Sequence, residues 1–244
     1  MIRISLGNIG SGKTACEVRE MALHQDIKNY SNIITTLKNN VQIDSDMICK
    51  KEMVGTNKKG EPVYELHLNS EFWKSIKEPI NITLDEAHAI INSRRSMSKV
   101  NIVVTDWVAL IRRVLGEDSK GVGDLVLISQ LPQRLDVVCR EMANQVRYHT
   151  CHYTKRCLNC GSAWREDTDM PEIAKYCINC NGINLKRTNF AIEVKFFVSI
   201  AGYNAWKIYG MKTFYKHYFV NDIEKYFPMY DTLQWDNMFS NLYY

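Results

Sequence analysis

Eight residues near the amino terminus constrain this chain more than any others. Gly7-Asn8-Ile9-Gly10-Ser11-Gly12-Lys13-Thr14 has the spacing G-x-x-x-x-G-K-[ST]. It stands between an apolar, β-branched run at 2–6, which reads as a strand, and residues 13–24, where Ala15, Val18, Met21 and Ala22 share one helical face. A chance glycine-rich turn does not carry that context. The residue types explain the chemistry. Successive backbone N–H groups wrap a polyphosphate, and glycines permit positive φ and close approach. Lys13 sets a fixed charge against the β- and γ-phosphates, and Thr14 offers a hydroxyl to Mg²⁺. The start of the helix, at Thr14 and Ala15, adds its dipole. Residues 7–15 are therefore the expected binding segment for ATP with Mg²⁺.

A second motif supplies what hydrolysis needs. Ile80-Asn81-Ile82-Thr83-Leu84 reads as a strand that ends in Asp85-Glu86. At the carboxyl end of a sheet strand, Asp85 is placed to hold the Mg²⁺ water shell. Glu86 is placed to polarise an attacking water as general base. Alone, this would read equally well as an exposed acidic pair. The phosphate loop makes the catalytic reading the stronger one. His88 reads as a helix residue beside the site. Asp85-Glu86-Ala87-His88 spells the name of a helicase class, but those enzymes need two motor domains and 244 residues do not hold two.

The run at 125–128 is continuously apolar, as in a strand buried on both faces, and leads into Ser129-Gln130. There Gln130 is expected to contact the γ-phosphate or position water, with a simple strand-end cap as the alternative. Arg94, Arg95, Arg112, Arg113, Arg134 and Arg140 are candidates for stabilising transition-state charge, in their own subunit or a neighbour's. Arg94 comes first and Arg112 second, although each reads singly as a solvated surface residue.

Cys157-x-x-Cys160 and Cys177-x-x-Cys180 are separated by sixteen residues, and each pair is followed by turn residues. That spacing predicts two knuckles giving four thiolates to a structural Zn²⁺, with no ligand position left open. Metal binding worth roughly 10–16 kcal/mol can fold a segment too small for its own core. Two disulfides or free thiols are the alternatives, disfavoured in a reducing compartment. Cys151 reads as the end of a strand and a bystander, and Cys16, Cys49 and Cys139 as isolated thiols. Residues 151–189 carry six Lys/Arg against four Asp/Glu. Nucleic-acid contact and protein docking both stay open for them.

With 45% hydrophobic and 24% charged residues the chain has the composition of a folded soluble domain, and its length allows one α/β domain with an appendage. No run approaches 18–20 apolar residues and no leader precedes the first strand, so a soluble cytoplasmic protein starting at Met1 is expected. The net charge of +4 permits a polyanionic partner without arguing for one. Further elements are predicted as strands at 33–36, 63–68, 145–149 and 190–200, and helices at 102–115 and 137–144. A hairpin turn is predicted at 57–60.

The order of phosphate loop, Asp85-Glu86, arginine pair, Ser129-Gln130 and then Asp136, Arg140 and Asn144 resembles the FtsK–HerA superfamily of DNA-pumping ATPases. Within it, the chain is similar to viral genome-packaging ATPases and to zonula-occludens-toxin-like proteins of filamentous phages. The segment Tyr226-Phe227-Pro228-Met229-Tyr230-Asp231-Thr232 looks like an ending common among the viral members. The resemblance implies a RecA-like P-loop NTPase of the ASCE class: an α/β three-layer sandwich with the Gln130 strand between the phosphate-loop strand and the Asp85 strand. It further implies a ring of five or six copies around DNA in the infected host cell, and a capsid or membrane protein as partner. The toxin-like members usually carry a transmembrane helix, so its absence here favours packaging over export. The cysteine segment is not a family feature. The expected organisation is an ATPase core at 1–150, a zinc-ribbon insertion at 151–189 and completion of the core at 190–244. A DNA translocase is the leading reading. An assembly or export ATPase of filamentous virions is the alternative, as is a nucleotide-gated module docking through its ribbon.

Overall fold

The computed structural model describes residues 1–91, 98–116, 123–170 and 173–231, without the side chains of 112–114. In chain order its elements are β1 (Ile2–Leu6), α1 (Lys13–Leu23), β2 (Lys28–Ser31), β3 (Asn40–Gln42), α2 (Ser45–Ile48), β4 (Cys49–Thr56), β5 (Pro62–Leu68) and α3 (Ser70–Ser75). Then come β6 (Ile80–Leu84), α4 (Ala87–Ile90), α5 (Lys99–Gly116), β7 (Leu125–Ser129), α6 (Val137–Met142), β8 (Gln145–Cys157), β9 (Ala163–Asp167), β10 (Leu185–Phe197), α7 (Ile200–Tyr209) and β11 (Lys216–Val220).

The main sheet runs β11-β10-β8-β1-β7-β6-β2-β3, with β9 paired to β8 off that path. From β8 to β3 the pairs are parallel, whereas β9, β10 and β11 add an antiparallel wing. The fold is thus mixed α/β with a parallel-rich central sheet. Strand β7, which carries Gln130 just past its end, lies between β1 and β6.

Strand β7 takes the middle because both its faces are apolar. Leu125 and Leu127 join the core under α5, while Val126 and Ile128 pack with Val18 and Met21 of α1. Helix α5 exists for the same reason. Val100, Val104, Trp107, Val108, Ile111 and Leu115 recur at three- and four-residue spacing and are all buried against the sheet. Trp107 meets Trp73 of α3 at 5.4 Å between ring centroids. The sheet is therefore covered on both faces, and the carboxyl ends of β1, β6 and β7 open on one rim.

Three expectations change. The strand predicted at 33–36 forms earlier, as β2, because Tyr30 reaches the aromatic cluster with Phe72 and Trp73 while residues 28–31 pair with β6. Cys151 does not end a strand: β8 and β10 pair continuously from Phe197↔Val146 out to Leu185↔Cys157, apart from one bulge. The positions 150/151 and 189/190 consequently fall inside strands, and the cysteine segment caps the far end of the β8–β9–β10 ladder. Third, of the basic residues in and just before 151–189, for which nucleic-acid contact stayed open, two are used internally. Lys155 pairs with Glu166 at 3.0 Å, and Arg147 lies 3.8 Å from the buried Glu17. The hairpin β4–β5 does turn at 57–60, where Asn57 Oδ1 accepts from the Lys59 and Glu61 amides. Among the described residues no helix is long and apolar enough to cross a membrane.

Candidate active site and four-cysteine cluster

The loop after β1 reverses tightly and enters α1. Gly10 and Gly12 take φ of 76° and 82°, the left-handed region that side chains disfavour. A Cβ on Gly12 would strike Ile192 Cδ1, and one on Gly7 would lie 2.6 Å from the His149 carbonyl oxygen. Ser11 is buried beneath the loop. Lys13 is 8% exposed, and its ammonium donates to the Gly7 and Asn8 carbonyls at 2.9 and 3.0 Å. Burial pulls this ammonium below its ordinary range, although Asp85 and Glu86 push it back up.

Across the rim, Thr14 Oγ1 donates to Asp85 Oδ2 at 2.7 Å. The two oxygens come from just past the end of β6 and from the start of α1, and they lie close enough together to serve as two hard donors to a Mg²⁺. Burial pushes the Asp85 carboxyl up, against the Thr14 and Glu86 N–H hydrogen bonds. The Asp85 backbone is locked by a residue sequence reading missed. Asn32, just past β2, donates to the Asp85 carbonyl at 2.9 Å and accepts its N–H at 2.7 Å. No local motif announces Asn32; only the parallel β2–β6 pairing brings it there.

Glu86 follows with φ 46° and ψ 41°, a left-handed conformation costing a non-glycine residue roughly 1–3 kcal/mol. That turn aims an exposed carboxylate over the rim. Its Oε2 is 3.1 Å from His88 Nδ1, and its Oε1 faces Gln130 Nε2 at 3.5 Å. Burial pulls the His88 imidazole below its ordinary value, although Glu86 pushes it back up.

These groups share one cavity of about 670 Å³, inside the usual range for a small-molecule site. Its polar lining includes the loop at 9–15 together with Asp85, Glu86 and Gln130. Cys151, Phe190, Ile192, Phe227 and Tyr230 line it as well. Phe190 and Phe227 meet edge to face at 5.7 Å. The aromatic wall was half visible in sequence: residues 226–231 carried the resemblance without any assigned role, and Phe190 and Cys151 carried no signal.

Other predicted residues fall elsewhere. Asp136 caps α6 and accepts from Asn101, and Asn144 closes β1 by accepting the Ile2 N–H. Both are structural staples. Arg94 and Arg95 lie outside the described residues, as do the side chains of Arg112 and Arg113 and also Thr232. Arg134 is exposed on a short 3-10 turn.

At the far end of the ladder the sulfurs of Cys157, Cys160, Cys177 and Cys180 all lie within 4.8 Å of one another. Cys157 and Cys180 are 3.7 Å apart, and Cys160 and Cys177 are 3.6 Å apart. Four thiolates at about 2.3 Å around a tetrahedral Zn²⁺ would be about 3.8 Å from each other, so the set fits. All eight cysteines are free. The two turns match: Gly161 N donates to the Cys157 carbonyl, and Asn181 N to the Cys177 carbonyl, with Gly161 and Asn181 at positive φ.

Solved structures similar to this chain include the N-terminal domain of zonular occludens toxin from Neisseria meningitidis. It is 17% identical, with 71% of this chain and 86% of that chain covered and a TM-score of 0.38. The genome packaging NTPase B204 from Sulfolobus turreted icosahedral virus 2, in complex with ATP-gammaS, is 14% identical. There the coverage is 60% and 74%, with a TM-score of 0.36. No curated protein matches the chain. The family model for zonular occludens toxin (Zot) matches residues 1–166, more than half of the chain, which therefore belongs to the Zot family.

Proposed function

We propose that this protein hydrolyses ATP and uses the cycle to translocate DNA, as the motor subunit of a viral genome-packaging machine. The observation that carries the reading is the convergence of Thr14, Asp85, Glu86 and Gln130 on one rim facing Lys13. Thr14 Oγ1 and Asp85 would hold Mg²⁺, which supplies charge neutralisation on the β- and γ-phosphates when bound. The loop N–H groups and Lys13 bind the phosphates. Lys13 leaves the Gly7 and Asn8 carbonyls to do so. The Glu86 carboxylate takes a proton from water as the water oxygen attacks the γ-phosphorus. The bond from that phosphorus to the β–γ bridging oxygen breaks, its electron pair leaving with ADP. Gln130 orients the water, and the aromatic wall of Phe190, Phe227 and Tyr230 receives the base. The four cysteines hold a structural Zn²⁺. A ring of five or six copies supplies the trans arginine.

Glu86→Gln tests the chemistry. Turnover falls by about 10²–10⁴ while MgATP binding persists; normal turnover would sink the mechanism. Duplex DNA should raise the wild-type rate, and light scattering should report a particle of several subunits. Family membership favours a second reading, an assembly or export ATPase for filamentous virions. A rate indifferent to DNA but raised by a virion protein would select it. Nucleotide binding without multiple turnover would select a nucleotide-gated docking module.

A further inference from the structure

The phosphate loop is fastened from outside by the segment that joins the two cysteine pairs. Asn8 Nδ2 donates to the Thr168 carbonyl at 2.8 Å and to Asp169 Oδ1 at 3.0 Å. Asp169 is itself pinned to β8. Its Oδ1 accepts from the Tyr148 hydroxyl at 2.6 Å and its Oδ2 from the Thr150 hydroxyl at 2.8 Å. Thr168 is tied to the same strand, exchanging hydrogen bonds with the backbone of Cys151 through its N–H and its hydroxyl, each 3.0 Å. Strand β8 pairs directly with β1, which ends in the loop. The Asp169 carboxylate therefore bridges rigid sheet and binding loop, and hydrogen bonds to an ionised acceptor are the stronger kind.

Residues 161–176 leave one cysteine pair and return to the other, with Thr168 and Asp169 near the middle. Glu166 locks the excursion. It accepts from Trp164 Nε1 at 2.7 Å, Lys155 Nζ at 3.0 Å, the Tyr153 hydroxyl at 3.2 Å and the Ala174 amide at 3.2 Å. The Lys155 ammonium also donates to the Ala174 carbonyl, three residues before Cys177. Joining both ends of such an excursion removes conformations it could otherwise sample. Whatever gathers the four thiols thus also narrows where Asp169 can stand.

We propose that Asp169 is a positioning residue for the nucleotide. By holding Asn8 it presets the phosphate loop, and closure of the four-cysteine cluster sets how firmly it does so. The proposal rests on reading the cavity as a nucleotide site. The test is titration of the full chain with a fluorescent N-methylanthraniloyl ATP and Mg²⁺, alongside steady-state kinetics.

Asp169→Ala raises Kd and KM about tenfold with kcat within twofold, the scale of losing a charge-assisted hydrogen bond. Asp169→Asn keeps one acceptor oxygen and recovers most of the loss. The Asn8→Ala/Asp169→Ala double variant binds no worse than Asn8→Ala alone, because both remove one interaction. Stripping metal with a chelator and restoring only Mg²⁺ weakens binding in the wild type but not further in Asp169→Ala. Wild-type Kd in a folded Asp169→Ala, additive losses in the double variant, or equal chelator effects in both backgrounds would overturn the proposal. If Asp169→Ala fails to fold, Thr150→Ala, which frees only Oδ2, carries the same titration with a smaller expected rise, and an unchanged Kd counts against the proposal. A wild type that binds no nucleotide is a different outcome: there the reading of the site itself fails.

Discussion

The phosphate loop and the cysteine knuckles are both tight turns, yet they are held by opposite means. Beneath the loop lies a dense interior: Ser5, Ser11, Glu17 and His149 are all within 2% of full burial, flanked by Leu6, Ala15 and Ile192. The knuckles have almost no interior. Cys157 and Cys177 are buried, but Leu158, Tyr176, Ile178 and Ile183 are more than half exposed. One turn is shaped by packing and buried polar contacts that any solvent condition short of unfolding leaves in place. The other depends on four sulfurs meeting at one point. The two should therefore fail under different insults.

The largest difference should come from removing a thiol. If the four thiols hold zinc as proposed, Cys157→Ser takes one of four ligands from a site whose metal would contribute on the order of 10 kcal/mol to the fold of its segment. Amide hydrogen exchange should then lose protection across 158–184 while β1 and β7 keep theirs, and bound zinc should fall from about one per chain to near zero. Unchanged zinc in the variant would dismiss the ligand assignment. Loss of protection throughout the sheet would mean that the packed core, too, depends on the cluster.

The contrast between local patterns and long-range pairing explains what sequence could and could not disclose. The strand–loop–helix at 2–23, the β6 strand ending in Asp85-Glu86, the β7 strand and both cysteine pairs were readable because each is a local pattern with a local reason. Asn32, Cys151, Phe190 and Asp169 were not. Each reaches the site through pairing between strands distant in sequence: β2 with β6, β8 with β1, and β10 and β9 with β8. The strand misplaced at 33–36 has the same origin. Its apolar residues are real, but Ile33, beyond the strand's end, packs with Val18 and Met21 of α1 and Val126 and Ile128 of β7, and Tyr30 supplies the burial that places β2. The division at 150 looked natural because composition changes there. Backbone pairing ignores composition, and β8 runs through.

Acid should be the next largest discriminator, acting on the packed turn. His149 is fully buried with Nδ1 on the Leu6 carbonyl at 3.2 Å, and burial lowers its pKa to about 4. In the unfolded chain a histidine titrates near 6.5. Between pH 6.5 and 4 the unfolded state binds the extra proton, so stability falls as pH falls, by up to about 3 kcal/mol. Glu17 adds to the loss further down. Burial would raise its carboxyl, but Arg147 and Arg3 hold it below its ordinary 4.5, so its contribution disappears as pH falls below that value. Urea midpoints measured from pH 7 to 4 should decline in the wild type and much less in His149→Gln. An equal slope in both would remove His149 as the source.

The smallest effect separates two costs within one glycine. Gly12 sits at φ 82°, where a Cβ costs roughly 1–2 kcal/mol whatever surrounds it. The same Cβ would also strike the Ile192 Cδ1 methyl, the far end of a flexible side chain that can turn away or be shortened. Gly12→Ala should therefore lower stability by about 1–2 kcal/mol, with a further increment from the collision. Adding Ile192→Val deletes that methyl. If the loop is set by its backbone, the double variant regains only the increment and remains weaker than Ile192→Val alone by the dihedral cost. Full recovery would mean that Ile192 packing, rather than the left-handed turn, fixes the entry to α1. The loop would then be less unlike the knuckles than its burial implies, since contact with a single neighbouring side chain would be holding it.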